Sequence, residues 1–375
     1  MKNNPRKLTF IILILIISLS IIPFVHAKPR KNFLTDYIIN RQLNDEGFSN
    51  SIKENDTISY EATVYGLEIL SYYNLYTIPG WFGEVTTNVN TTVMGDNLEK
   101  ELKSALNQNP IDLYDIYFLL KALDLLNRSI SSTIKKNVEG FLTEIEQTSG
   151  GFSPNNATNN IDVIATCFAI LTYDLIGKDV PDKDNHIGWI KSCQNSDGGY
   201  GGNSTLSSSI YSTYCAVLAI ITLENVDLLD NKDKTVEYLQ NFYVDDENDA
   251  FNYGGYKPDE HSKYALISST YFCTRIIYLL DKKELHNETT SNWIIQRQNF
   301  KDGGFADNTD GNKQKVSSVV NSYYAFAILK YTNNLNLLEE DVWVVEFNWI
   351  ILIIVLSVIG VAIAVIIILW RRRKI

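Results

Sequence analysis

Sulfur and imidazole are scarce in this chain: 375 residues hold four cysteines, two methionines and four histidines. No Cys-x-x-Cys pair occurs, nor any Cys/His spacing of the kind that holds zinc. Two disulfides are arithmetically possible. Yet Cys167, Cys215 and Cys273 fall in apolar, helix-like stretches and Cys193 at a helix end, so unpaired cysteines in a packed core are expected. Positive charge is short as well, with 33 Lys and Arg against 44 Asp and Glu. No Arg/Lys cluster fit to hold a diphosphate appears, Lys263 and Arg275 being the nearest candidates. The acidic run at 244–249 lacks the alternating Asp spacing of a calcium loop and reads as a solvated insert.

What the chain does have, at both ends, is uncharged apolar sequence. Lys2, Arg6 and Lys7 precede an apolar run over 10–25 that closes on Val25, His26 and Ala27, the layout of a secretory signal cleaved after Ala27. Residues 349–370 carry no charge and, as a helix, would span roughly 33 Å, about a bilayer core. Arg371, Arg372, Arg373 and Lys374 follow at once. Both basic flanks belong on the cytoplasmic side, so the part between faces outward whether or not the signal is cleaved. The expected plan is a signal at 1–27, an extracytoplasmic domain at 28–340, one membrane helix at 349–370 and a basic tail at 371–375. Outside the two ends, 26 basic residues stand against 44 acidic ones, a net of −18. That balance excludes nucleic acid and an anionic lipid surface as partners of the domain. Hydrophobic residues at 45% and aromatics at 12% exclude a disordered stalk.

The domain repeats itself. Trp189, Gln194, Gly198, Gly199 and Tyr200 recur as Trp293, Gln298, Gly303, Gly304 and Phe305, with Trp and Gln five apart in both. Weaker copies end in Gly47-Phe48, Gly150-Gly151-Phe152 and Gly254-Gly255-Tyr256. The interval from Gly47 to Gly151 is twice the common period of about 50 residues, which places a degenerate copy near Gly95. Six units of this size make a solenoid or a closed ring.

Within a unit a helix ends at the Gln, the glycines turn the chain, and the aromatic residue is expected to fold back on the helix just left. A second helix then opens at Ala62-Thr63, Ala165-Thr166, Ser212-Thr213, Ser269-Thr270 or Asn321-Ser322 and runs on apolar on more than one face. Those runs are the expected buried inner helices; the Trp/Gln helices, with Lys191 or Arg297, are the expected outer ring. The fold class is therefore all-α, an α/α toroid of about six helix pairs.

The Gln-x(4)-Gly-Gly-aromatic turns, with an inner helix opening in Ser/Thr-Tyr-Cys-Ala, resemble the prenyltransferase and squalene-cyclase repeat superfamily over residues 33–335. The resemblance implies that zinc, where present, is held by an Asp and a Cys at the start of one inner helix and a His on the next. The positions matching that set are Leu266, Ser268 and Asn321, so no zinc cofactor is expected here. His186, His261 and His286 read as exposed loop histidines. Class II terpenoid cyclases imply an Asp-x-Asp-Asp acid that protonates an alkene; its matching positions hold Asp162, Ile164 and Ala165, so only the first carboxylate survives. Glu61 sits in the donor-like place of the first unit, and Asp112 and Asp115 open the second unit's inner helix. Glu61 and Asp162 are thus the candidate catalytic acids, although a carboxylate at a helix N-terminus is also what the helix dipole favours.

Tyrosine supplies the remaining clue. Of 22 in the chain, Tyr60, Tyr114, Tyr211, Tyr214, Tyr271, Tyr323 and Tyr324 fall in the opening turns of inner helices. Around a toroid's centre they would make an aromatic funnel, and Tyr60, Tyr211, Tyr214, Tyr271 and Tyr323 are the candidate ligand-binding residues. Sealing of helix ends by wet hydroxyls is the other reading. The function expected is a membrane-anchored toroid binding an isoprenoid, lipid or peptide ligand without zinc chemistry. The alternatives are an active prenyltransferase- or cyclase-type enzyme using a cavity carboxylate, and a structural cell-surface domain with a filled centre.

Overall fold

The structure is a computed structural model. It describes residues 24–346 apart from 45, 55–56, 76–88, 224–228 and 308–315, together with scattered positions between 353 and 372. The chain divides into two units, Met1–Arg30 with Glu340–Ile375, and Lys31–Glu339.

In the first unit, β1 (Phe24–Pro29) pairs antiparallel with a strand near the other end, Asp341–Glu346, so that Phe24 faces Glu346 and Pro29 faces Asp341. The Arg30 N–H donates to the Glu340 carbonyl at 3.0 Å and continues the ladder. Ala27, the expected cleavage boundary, lies inside β1 opposite Trp343. The rest of the expected signal, and nearly all of the expected membrane helix at 349–370, lie outside the described residues. Among the described residues no helix is long and apolar enough to cross a membrane.

The described residues of Lys31–Glu339 form six helix pairs. The outer members are α1 (Arg30–Ile39), α3 (Thr91–Ala105), α5 (Ser132–Ile145), α7 (Lys183–Ser192), α9 (Lys232–Gln240) and α11 (Asn287–Ile295). The inner members are α2 (Tyr60–Tyr72), α4 (Leu113–Leu125), α6 (Val163–Leu175), α8 (Ile210–Leu223), α10 (Ile267–Leu280) and α12 (Val319–Tyr331). Each inner helix packs on the inner helix of the next pair, and α12 packs on α2, so the inner ring closes. Burial separates the two rings as the hydrophobic pattern predicts: α12 buries nine of its thirteen residues, α3 five of its fifteen.

Local chemistry starts the inner helices. Ser59, Asp112, Asp162, Ser209 and Ser318 each accept a backbone N–H of the first turn, as N-caps do. Helix α10, with Leu266 at its cap, has no side-chain cap of its own; its Ile267 N–H goes instead to Asp307 Oδ1 at 2.7 Å, from the following unit.

One hydrogen bond repeats around the ring. The backbone N–H of the turn aromatic donates to a buried hydroxyl on its own inner helix: Phe48 to Thr63, Phe152 to Thr166, Tyr200 to Thr213, Tyr256 to Thr270 and Phe305 to Ser322, all at 2.9–3.0 Å. Each hydroxyl in turn donates to the carbonyl four residues earlier, so both the aromatic N–H and the buried hydroxyl are satisfied. The second unit lacks both partners. Counting from its cap Asp112, the hydroxyl position is Ile116, and no Gly-Gly-aromatic turn precedes it. Gly95 is not at that turn, as expected from the period, but within α3; the turn follows α3 at 106–112.

The paired glycines also admit the next unit. The first of each pair has positive φ, +96° at Gly303 for example. A Cβ on Gly150 would stand 2.6 Å from the Asn185 carbonyl oxygen of α7, and one on Gly303 would collide with the Phe33 carbonyl of α1. The second glycine receives an aromatic face of the next outer helix: Trp189 on Gly151, Tyr238 on Gly199, Trp293 on Gly255 and Tyr37 on Gly304. Two of these contacts cross the seam between last and first units. There Tyr37 Oη donates to the Ser317 carbonyl at 2.7 Å and the Val319 N–H to the Asn50 carbonyl at 2.8 Å.

The turn aromatics do fold back on the helix they leave, Phe152 bridging Glu146 at the end of α5 and Tyr256 Oη donating to Gln240 Oε1 of α9 at 3.4 Å. His186, expected in an exposed loop, is corrected here: it lies in the following α7, its ring stacked on that of Phe152 4.9 Å away. His186 is accordingly buried, with Nδ1 2.6 Å from the Gly150 carbonyl, and is no loop residue. Arg297 follows the outer helix α11, in the outer ring as expected, and is buried there over the Trp293 ring at 3.5 Å, donating to the Trp293 and Phe251 carbonyls. The four cysteines are free and buried, as expected. In the acidic insert, Asp246 and Asp249 accept the backbone N–H groups of Asn248 and Asn252.

Candidate functional site

Every inner helix contributes to one central cavity of about 260 Å³. The buried hydroxyl of the repeat sets the register. Counting from Thr63, Ile116, Thr166, Thr213, Thr270 and Ser322, cavity residues fall at the next two positions and at the fifth, one face of a helix. The layer nearest the hydroxyls is aromatic, with Tyr65, Tyr117, Phe118, Phe168, Tyr214, Tyr271, Phe272, Tyr323 and Tyr324. One turn farther, the fifth position brings Glu68, Lys121, Leu171, Leu218 and Arg275 to a second layer. On the other side, two residues before the hydroxyl, stand Glu61 and Tyr211.

The aromatic layer is ordered by ring stacking. Tyr65 lies on Tyr323 at 4.2 Å between centroids, and Tyr271 on Tyr324 at 4.3 Å. Phe272 meets Tyr211 and Tyr214, each at 4.8 Å, while Phe168 takes Tyr117 edge-on at the same distance. Burial pushes the Tyr65, Tyr117, Tyr211, Tyr214, Tyr323 and Tyr324 phenols well above the ordinary tyrosine range, so all are neutral at physiological pH. The Cys215 thiol, buried and hydrogen-bonded with Cys167 across α6 and α8, is also held well up and stays protonated.

Charged groups stand at the ends of this aromatic wall. Burial raises the Glu61 carboxyl, with hydrogen bonds from Tyr324 and Tyr65 opposing it; the Tyr324 hydroxyl is 3.5 Å from Oε1. Arg275 Nη1 donates to Tyr214 Oη at 2.8 Å and to Tyr271 Oη at 2.6 Å, and its guanidinium lies over both rings. Lys121 pairs with the exposed Asp124 at 3.2 Å.

Of the residues singled out from sequence, Glu61, Tyr211, Tyr214, Tyr271 and Tyr323 come together in the cavity. Tyr60 does not: its hydroxyl turns to Glu101 Oε2 at 3.4 Å, outside the lining, and burial with that carboxylate pushes it up to about 12. Asp162 does not either, since its Oδ1 accepts the Ala165 N–H at 2.7 Å as the cap of α6. Burial raises that carboxyl while the backbone N–H groups at the helix start hold it down. Asp112 is likewise a cap, and Asp115 is absent from the lining. Sequence reasoning passed over Glu68, Lys121, Tyr117, Phe118, Phe168 and Phe272. The hydroxyl register, applied to each helix in turn, points to all six.

The zinc positions do not fit a metal. Leu266 offers no side-chain donor, and Asn321 is engaged with Asp307 Oδ2 at 3.2 Å. Among the described residues no group of three or more His, Cys, Asp or Glu is placed to hold an ion. His261 is exposed, and His286 lies stacked on Tyr243 at 3.7 Å.

A closed ring of six helix pairs around an aromatic cavity defines an α/α toroid. The prenyltransferase alpha-alpha toroid domain matches residues 86–182 and 168–347, and the chain belongs to that family. Geranylgeranyl transferase type-1 subunit beta of Arabidopsis thaliana is 29% identical over 129 residues, 34% of this chain and 34% of that protein. The alignment thus spans about a third of that curated relative. Among solved structures, Candida albicans protein geranylgeranyltransferase-I complexed with GGPP superposes with a TM-score of 0.61 at 18% identity, covering 82% of this chain and 92% of that one. The apo type II terpene cyclase MstE from Scytonema gives 0.53 at 11% identity, covering 82% and 97%. At these identities the likeness is one of fold.

Proposed function

We propose that this toroid is held at the outer face of a membrane by residues 349–370 and binds a small isoprenoid or other lipid-like ligand in its central cavity, without zinc chemistry. The observation that carries the reading is the wall itself. Seven tyrosines and three phenylalanines, converging from all six inner helices, line one cavity. Packed aromatic faces suit an unsaturated chain, and a filled centre would have suited a purely structural domain. The Candida relative, solved with GGPP, supports the ligand class. The cavity, at about 260 Å³, lies just under the range of roughly 300–1,000 Å³ usual for small-molecule sites. Its occupant is accordingly a small one.

A second reading has one specific observation in its favour. Glu61 is, with Glu68, one of the two carboxyls in the cavity lining, and its burial favours the protonated form, which is what an alkene-protonating acid needs. Asp162 drops out of that role, spent on a helix cap.

Native mass spectrometry of the full chain, released from detergent, tests both. A retained or acquired mass of isoprenoid size establishes the ligand site. Turnover of an added polyene, lost in Glu61→Gln while binding persists, would move the protein to the enzyme class. A bare polypeptide mass with and without added isoprenoid would overturn the binding reading.

A further inference from the structure

Six Asn-x-Ser/Thr triplets begin at Asn55, Asn90, Asn127, Asn156, Asn203 and Asn287. In a chain this rich in asparagine the triplets mean little by themselves, and what the fold does with each amide sorts them. An asparagine that accepts a sugar gives up one hydrogen of Nδ2 and keeps Oδ1 as an acceptor. A folded acceptor therefore needs Nδ2 in solvent, whereas Oδ1 can be engaged. A transferase that reads amide and hydroxyl together meets least resistance where the fold already holds the two together.

Asn55 lies outside the described residues, and Asn90 stands beside the undescribed 76–88, so the comparison falls on the other four. Asn156 is clamped from both sides: Oδ1 accepts the Ile111 N–H at 2.9 Å and Nδ2 donates to Glu144 Oε1 at 3.4 Å, which ties the second unit to the third. A sugar there would break that tie. Asn287 is exposed at the start of α11, but its Thr289 hydroxyl is turned away, to Tyr243 Oη at 2.7 Å and the His286 carbonyl at 3.3 Å. Asn127 is exposed behind α4 at φ +54°, and among the described residues no hydrogen bond joins it to Ser129.

Asn203 differs from these. It stands in the loop between the Tyr200 turn and α8, where residues 204–207 are exposed. Its Oδ1 accepts both the Thr205 N–H at 2.9 Å and the Thr205 hydroxyl at 2.8 Å, so the acceptor amide and the hydroxyl of the triplet meet on one atom. Among the described residues Nδ2 has no acceptor, and it is open to solvent. The loop is held in this shape. Asn195 Nδ2 donates to the Leu206 carbonyl at 3.0 Å, the Leu206 N–H donates to the Asn203 carbonyl at 3.2 Å, and a Cβ on Gly201 would collide with the Leu206 carbonyl.

We propose that Asn203 is an N-glycosylation site, presented ready-turned at the rim where the inner helices start, and that Asn156 on the same rim stays bare. This rests on the reading that the toroid faces outward, where a membrane-bound transferase and a polyprenyl-phosphate-linked sugar are at hand. Nδ2 attacks C1 of that sugar. The N–C1 bond forms and the C1–O bond breaks, the polyprenyl phosphate leaves with its electron pair, and one Nδ2 hydrogen departs as a proton. Oδ1 keeps its two bonds to Thr205.

The test expresses the full chain in a eukaryotic secretory host and releases N-linked sugars enzymatically in heavy-oxygen water, which leaves a labelled Asp wherever a sugar stood. Peptide mass spectrometry then reads each triplet. Asn203 is expected to carry label several-fold above Asn127, Asn156 and Asn287. Thr205→Ala should remove that label although Asn203 remains, Thr205→Ser should retain part of it, and Asn203→Gln should lower the intact mass by one sugar chain. Should these variants fail to fold, the wild-type distribution over the triplets decides. A bare Asn203 beside any labelled triplet, or label at Asn203 no higher than at Asn156, overturns the proposal and leaves the outward placement standing. Label at none of the six removes the outward placement and this proposal with it.

Discussion

Tyr65 and Tyr323 stack face to face, with ring centroids 4.2 Å apart and planes 5° from parallel, across the seam where the first inner helix meets the last. The backbone closes the ring from outside, through Asn50 and Val319; this ring pair closes it from inside, within the cavity wall. Ring closure and cavity wall therefore share side chains, and the cavity's shape depends on the same contact that keeps the toroid shut.

The seam pair should show energetic coupling. Tyr65→Leu and Tyr323→Leu, separately and together in a double-mutant cycle, are expected to give an interaction of about 1 kcal/mol beyond lost burial, the usual worth of a stacked aromatic pair. Urea unfolding of the four proteins measures it. Strict additivity would show that the stack is fortuitous and that the Asn50 contacts alone close the ring.

Much of this fold was legible in the sequence because the repeat carries its own physics. Gly-Gly before an aromatic residue and Thr or Ser about fourteen residues on are two ends of one hydrogen bond, as Phe152 and Thr166 show. Where one end is missing, as at Ile116, so is the other, and the period misplaced that turn to Gly95. The site was less legible for a related reason. Acids at helix starts look alike in sequence, yet Asp162 bends back to its own helix as a cap while Glu61, two residues past the Ser59 cap, faces the centre. Tyr60 was misplaced by a single step of about 100° around α2. Of the charged layer the sequence offered Arg275 but not Glu68 or Lys121, because basic residues were sought as a cluster, whereas these three come to one cavity only when the ring closes.

The repeated turn bond makes Thr166 a clean probe. Thr166→Val keeps the shape but leaves the buried Phe152 N–H without an acceptor, and is expected to cost about 1–3 kcal/mol. Thr166→Ser should cost little, since Ser322 does the same work for Phe305. Chemical denaturation of both variants reads the difference; a larger loss in Thr166→Ser than in Thr166→Val would mean that the methyl group, not the hydroxyl, matters there.

Glycines of two kinds should respond oppositely to alanine. Gly303 has φ +96° and the Phe33 carbonyl against the place of its Cβ, so Gly303→Ala is expected to destabilise by upwards of about 1 kcal/mol and to loosen the seam. Gly140, in the body of α5, has nothing within 4 Å of that place, and Gly140→Ala should stabilise by about 0.5–1 kcal/mol through helix propensity. Melting temperatures of the two variants separate the roles.

The ribbon of β1 with Asp341–Glu346 bears on processing. Cleavage after Ala27 would remove four of the six residues of β1, and a two-stranded ribbon is marginal even when whole. A mature protein that keeps this ribbon is therefore expected to retain the residues before Ala27. Intact-mass measurement of the purified chain decides: a full-chain mass of 42.6 kDa supports the ribbon, and a product beginning at Lys28 shows that the mature domain does without it.

Glu61 should leave a signature in the pH dependence of stability. Its folded carboxyl is raised above the ordinary glutamate value, chiefly by burial, so the folded state binds the proton more tightly than the unfolded chain does. The contribution to stability is full below the unfolded value near 4.5 and is lost as pH rises through the folded one. Above that window the chain carries a buried charge that Tyr324 and Tyr65 only partly offset. Glu61→Gln keeps the shape and removes the titration, so urea unfolding from pH 4 to pH 8 should show wild type losing stability relative to the variant as pH rises. Parallel profiles would place the carboxylate in water, and would take with them the case for Glu61 as a proton donor to anything bound beside it.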